Sequence, residues 1–167
     1  DNFYARPDTL SLGVCNGCQV MMELGLVLGS KEKGYMSFND SHKFESAFLT
    51  VDIPENNSII LGSLAGSKLG IWIAHGEGKF NLPGPENEYY IAMKYAYGEY
   101  PGNPNGSDHS VAALCSGDGR HLVMMPHIER SLFPWNWAYY PKEHKQDEVT
   151  PWIEAFVNAR KWIEAKR

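Results

Sequence analysis

Cysteine is scarce in this chain, with three residues in 167, at positions 15, 18 and 115. An odd, widely spaced set does not make the disulfide framework of a small secreted scaffold, so a reducing compartment, the cytosol, is expected. Positive charge is also in short supply: 15 Lys and Arg stand against 20 Asp and Glu, a formal net charge of -5. That balance argues against a nucleic-acid surface or a polybasic membrane contact and leaves small molecules or proteins as partners. No apolar run approaches the ~18–20 residues of a membrane span, and no basic-then-apolar leader precedes the first apolar run. Repeats, low-complexity tracts and linkers are missing too. A single domain is expected, since roughly 100–200 residues is the usual unit.

What is present reads as an α/β chain. The run LSLGV (10–14) has the apolar continuity of a buried strand, and VMMELGLVL (20–28) carries apolar residues at helical spacing. Strands are expected at 46–53, 58–64, 69–75, 88–97, 110–116 and 121–127, the last two joined by a GDG turn. The aromatic and proline-rich stretch 131–149 reads as a long ordered loop. A closing amphipathic helix is expected after Thr150 as N-cap and Pro151 at its first position. The opening DNFYARPDT has no initiator Met and reads as the tail of a helix in a longer chain, so a fragment is expected. Together these elements suggest a mixed sheet with helices.

The chemistry concentrates in GVCNGCQ (13–19). A C-x-x-C pair can be half of a zinc site, but the other candidate ligands show no second paired spacing. It can also be a redox pair at a helix N-terminus, or a structural turn with buried thiols. A third possibility uses every residue. G-x-C-x-G-x-Q is the cysteine form of the nucleophile elbow, a strained strand-to-helix turn that lifts one side chain to its apex. Gly13 and Gly17 would then give strand and helix room to approach, and the helix N-terminus would favour a thiolate on Cys15. The Asn16 N–H would donate to an oxyanion formed on an attacked carbonyl, while Cys18 would face the packing side. A nucleophilic thiol also needs a base held by a third group. MMPHIER (124–130) offers His127 and Glu129 at the end of an apolar run, a spacing that is weak alone and gains meaning beside the elbow.

With these motifs the chain resembles class I, triad-type glutamine amidotransferase domains. GVCNGCQ, HGEG (75–78), NPNGS (103–107), MMPHIER and PWIEAFVNARKW (151–162) together resemble the C-terminal glutaminase domain of large phosphoribosylformylglycinamidine synthases. The resemblance implies a flavodoxin-like α/β fold with a mixed, largely parallel sheet, and a catalytic triad of Cys15, His127 and Glu129. It implies oxyanion donation by Asn16 and substrate holding by Gln19, His75 and Gly76, with no metal. L-glutamine would be the substrate, and a synthetase domain of the same longer chain the partner, with ATP and Mg expected there and no cofactor within these residues. The ammonia would serve conversion of formylglycinamide ribonucleotide to formylglycinamidine ribonucleotide in purine biosynthesis. Family members carry further strands and a second oxyanion donor ahead of the elbow, so weak turnover is expected of residues 1–167 alone. Two other readings stand beside this one: another cysteine hydrolase of the same fold, and an inactive binding or structural fragment.

Overall fold

Six strands form one mixed sheet, and its curl brings distant parts of the chain together. The computed structural model describes residues 2–166. In chain order the elements are α1 (Asn2–Ala5), β1 (Ser11–Val14), α2 (Asn16–Glu23), β2 (Tyr35–Ser37), β3 (Glu45–Asp52), β4 (Lys68–His75), β5 (Lys79–Asn81), β6 (Ile91–Tyr95), β7 (Val111–Cys115), β8 (His121–Met124) and α3 (Ile153–Glu164). The main sheet runs β1-β8-β7-β6-β3-β4, and β2 pairs with β5 separately.

The sheet is mixed as expected, but its parallel share needs correction. Among the described residues only β1 with β8 is parallel, while β8–β7, β7–β6, β6–β3 and β3–β4 are antiparallel. The reason lies in the connections: parallel neighbours need a long crossover, whereas β7 and β8 are joined by the short Gly117–Gly119 turn. Register shifts between Ile91 and Lys94 mark a bulge in β6. Bulges increase local twist. The sheet curls until β4, last in the order, meets the segment after β8 through a Trp72–His127 bridge.

Both faces of the sheet are covered. Along β8 and its continuation, Leu122 and Met124 pack into the core shared with Trp152 and Ala155 at the start of α3, while Val123 and Met125 pack against Cys18, Met21 and Met22 of α2. This alternation explains the unbroken apolar run in the sequence. Each fully buried side chain of this size contributes ~1.5–3 kcal/mol of transfer free energy.

Two expected elements differ. Residues 58–64 are not a strand, because the Ser58 hydroxyl accepts from the N–H groups of Ile60 and Leu61, and the Ser58 carbonyl from Gly62 N–H. Those bonds wind the segment into a turn ending in the 3-10 helix Gly62–Leu64, which still buries Ile60, Leu61 and Leu64. The helix expected over 20–28 begins at Asn16 and ends at Glu23, where Gly25 at φ 68° returns its N–H to Met22 O. Near the closing helix, Thr150 gives its hydroxyl to Ser131 O rather than capping. The stretch 131–149 is an ordered loop: Trp72 Nε1 donates to Asn136 O and Trp137 Nε1 to Ser131 O.

Candidate functional site

The site forms where three strands end. Because β1 and β8 are in parallel register, Val14 lies beside Met124, and the Cys15 N–H donates to Met124 O at 2.9 Å. Open α/β sheets place their sites beyond such carboxyl ends. Cys15 joins β1 to α2 at φ 51° and ψ -107°, a positive φ that a non-glycine residue adopts only under local strain. Its Sγ donates to Ala74 O of β4 at 3.7 Å.

The two glycines of the elbow behave differently. A Cβ on Gly13 would stand 2.7 Å from Met21 Sδ and 2.8 Å from Gly17 O, so this glycine is required by the approach of α2 to β1. A Cβ on Gly17 would meet nothing within 4 Å, so packing does not require the second glycine. What Gly17 contributes to the close approach is its backbone.

His127 follows β8 and donates its backbone N–H to Trp72 O at 2.7 Å, which fixes it beside β4. Its Nδ1 lies 2.5 Å from Glu129 Oε1, and its Nε2 is buried with no partner among the described residues. A carboxylate on Nδ1 holds the proton there and leaves Nε2 as the free base nitrogen. Glu129 is also shared with Arg130, whose Nε lies 3.5 Å away. Arg130 escaped the sequence reading although it ends the same motif.

Burial pushes the Cys15 thiol up, and the Asn16 backbone N–H and the Arg130 charge offset this only in part, with Glu129 opposing them. The Asn16 N–H at the start of α2 acts in the direction expected of a helix N-terminus, towards thiolate, but burial outweighs it. Cys18, fully buried against α2's partners, is raised well above the usual thiol range by burial. Among the described residues no group of three or more His, Cys, Asp or Glu is arranged to hold a metal ion.

The residues expected to hold substrate form one connected wall. Gln19, in the first half of α2, receives at Oε1 a hydrogen from Asn16 Nδ2 at 3.1 Å and donates through Nε2 to Glu77 O at 2.7 Å. His75 ends β4, only 2 % exposed, with its pKa lowered to about 4, first by burial and also by the nearby His127. Gly76 follows in the turn, its carbonyl accepting from Asn39 N–H. Asn39 was missed from sequence. It lies in an unremarkable FND stretch, and only the folded chain shows it beside this turn.

Residues 1–163 match the family described as a CobB/CobQ-like glutamine amidotransferase domain. The chain is similar to phosphoribosylformylglycinamidine synthase of Dictyostelium discoideum, 40% identical over 186 residues that cover 99% of this chain and 14% of that protein. With the protein of that name from Homo sapiens it is 37% identical over 187 residues, 96% of this chain and 14% of the relative. The chain therefore spans about a seventh of the length of these relatives. Its fold is similar to a structure described as PurLQS from Thermotoga maritima, with a TM-score of 0.68 and 23% identity over 92% of this chain and 62% of that one.

Proposed function

The chain belongs to the CobB/CobQ-like glutamine amidotransferase domain family, and from that premise we propose that it splits L-glutamine through Cys15 with His127 and Glu129 completing the triad. The observation that carries this reading is the strained Cys15 elbow ending beside a His127–Glu129 pair whose free Nε2 is buried at the same strand ends. His127 Nε2 takes the thiol proton as Sγ bonds to the carboxamide carbon. The Asn16 N–H donates to the resulting oxyanion. When the oxyanion collapses, the C–N bond breaks, the same proton passes from His127 to the leaving nitrogen, and ammonia departs. Water, giving its proton to His127, then cleaves the thioester to glutamate, and the proton returns to sulfur. Glu129 keeps the imidazole oriented and stabilises its cationic form.

Gln19, His75 and Gly76 hold the amino-acid end of the substrate. In the longer chain, we place these residues as part of a glutaminase domain that feeds ammonia to a synthetase domain, where ATP and Mg support formation of formylglycinamidine ribonucleotide. The name shared by the relatives and their extra length support that assignment. Three free cysteines suit a cytoplasmic setting, and among the described residues no helix is long and apolar enough to cross a membrane.

Hydroxylamine intercepts a glutamyl thioester as γ-glutamyl hydroxamate, which gives a direct assay. The protein should form hydroxamate from glutamine, Cys15→Ala should form none, and His127→Ala should lose ~10²-fold or more, the usual worth of a general base. Hydroxamate formation that survives Cys15→Ala would overturn the proposal.

A further inference from the structure

Asn39, fully buried, bonds to three residues of the 75–78 turn. Its backbone N–H donates to Gly76 O at 2.9 Å. Its side-chain Nδ2 donates to Lys43 O at 2.9 Å and to His75 O at 2.8 Å. Both of those acceptors are carbonyls, so that end of the amide must be the NH2 and the other end the oxygen. The oxygen accepts from Gly78 N–H at 2.9 Å and lies 3.3 Å from His75 Nδ1.

An acceptor facing Nδ1 requires the proton of a neutral imidazole to sit on Nδ1, which leaves Nε2 as a bare acceptor. Nε2 is buried and has no partner among the described residues. Directly across the β3–β4 ladder stands Glu45, whose Oε1 is likewise buried and unpartnered. Paired residues on neighbouring antiparallel strands share one face. The titratable groups that reach His75 are Glu45 and His127. Burial keeps the imidazole neutral at pH 7.

The motif NPNGS completes the clamp. Asn105, fully buried, donates to Gly78 O at 2.6 Å and to Tyr95 Oη at 3.2 Å, while its own oxygen accepts from Ser107 N–H and Oγ. Both polar atoms of Gly78 are thus held by buried asparagines from separate loops. A Cβ on Gly78 would lie 2.5 Å from His75 Nδ1, so the imidazole ring occupies the space that any side chain at 78 would need.

We propose that Asn39 is a positioning residue that fixes His75 in the Nδ1–H tautomer, so that His75 Nε2 and Glu45 Oε1 together present acceptors to a protonated amine, the α-ammonium group of the substrate. The inference rests on the glutamine reading above. It assigns to His75 the job of reading the amine, and to Asn39 the job of making that possible.

Nitrogen-15 spectra of the histidine rings test the tautomer without any substrate. His75 should show a protonated Nδ1 and a bare Nε2 at pH 7; the reverse tautomer would overturn the proposal even if glutamine chemistry stands. Asn39→Ala should scramble the tautomer. In the hydroxamate assay, glutamine should be preferred to its analogue lacking the α-amine, and Asn39→Ala should shrink that kcat/KM preference about ten-fold, the equivalent of one good hydrogen bond, chiefly through KM. An unchanged preference with a lowered unfolding midpoint would mark Asn39 as structural only and sink the proposal. No hydroxamate from the unmodified protein would instead count against the glutamine reading, with the tautomer still deciding the role of Asn39. Should Asn39→Ala fail to fold, Asn105→Ser loosens the same turn from its other side and should lower the preference in the same direction; a preference left intact would contradict the account.

Discussion

Replacing Gly13 by alanine isolates the close approach on which the elbow depends. The new Cβ would stand 2.7 Å from Met21 Sδ, 2.8 Å from Gly17 O and 2.9 Å from Gly17 C, where ordinary contact begins at 3.4 Å. The thioether of Met21 can swing aside. The backbone of Gly17 cannot, so α2 must retreat from β1 by roughly 0.6 Å, an overpacking of the kind that costs ~1–3 kcal/mol. Because the obstacle is backbone, the upper part of that range, ~2–3 kcal/mol, is expected from urea unfolding. The same retreat moves Cys15 and the Asn16 N–H relative to His127, and displacements of ~1 Å at a reacting centre cost up to ~10²-fold in rate. Hydroxamate formation should therefore fall about ten-fold or more, beyond what partial unfolding explains. Gly17→Ala is the matched control. Nothing lies within 4 Å of its Cβ and the residue is helical, so stability should be unchanged or rise by ~0.5–1 kcal/mol. If Gly13→Ala and Gly17→Ala destabilise equally, or neither does, the account of the elbow is wrong.

Two pH-dependent outcomes follow from the same site. His75 is neutral in the folded protein with its pKa lowered from 6.5 to about 4, so the unfolded chain binds the extra proton first. The stability contribution is fully present above the unfolded value and is lost as pH falls from about 6.5 towards 4; at ~1.4 kcal/mol per pKa unit this is about 3 kcal/mol, read as a falling urea midpoint that His75→Asn flattens. A midpoint constant across that window would contradict the burial argument. For Cys15, whose thiol is pushed up by burial, iodoacetamide labelling at pH 8 should be slower than that of a free peptide thiol and should keep rising above the ordinary thiol range near ~8.5. A rate that levels off below that range would show a stabilised thiolate after all.

How far the sequence discloses this site depends on the range of the interactions involved. Cys15, His127 and Glu129 are legible because the elbow is a local geometry with a local spacing, and because His127 leaves the strand that pairs with the elbow's own. Gly13 and Gly17 look equivalent in the motif, yet only the folded chain shows that one contributes a missing side chain and the other a backbone. The apolar run 58–64 reads as a strand until the Ser58 hydroxyl is seen collecting two N–H groups. The sheet's small parallel share also escapes the pattern, since strand direction depends on connections and not on the composition of each strand. Asn39 is the extreme case. Its amide bonds to residues 75 and 78 depend on the connection between β2 and β3 folding over the end of β4, and no spacing in the chain announces them.

The central claim is that Cys15 stands in a glutamine pocket. Its most direct test is mass-spectrometric mapping after exposure to 6-diazo-5-oxonorleucine, an electrophile shaped like glutamine, with and without competing glutamine. The account predicts one adduct on Cys15, suppressed by glutamine and slowed by His75→Ala. Labelling that ignores glutamine, or that falls on Cys18 or Cys115 instead, would contradict it.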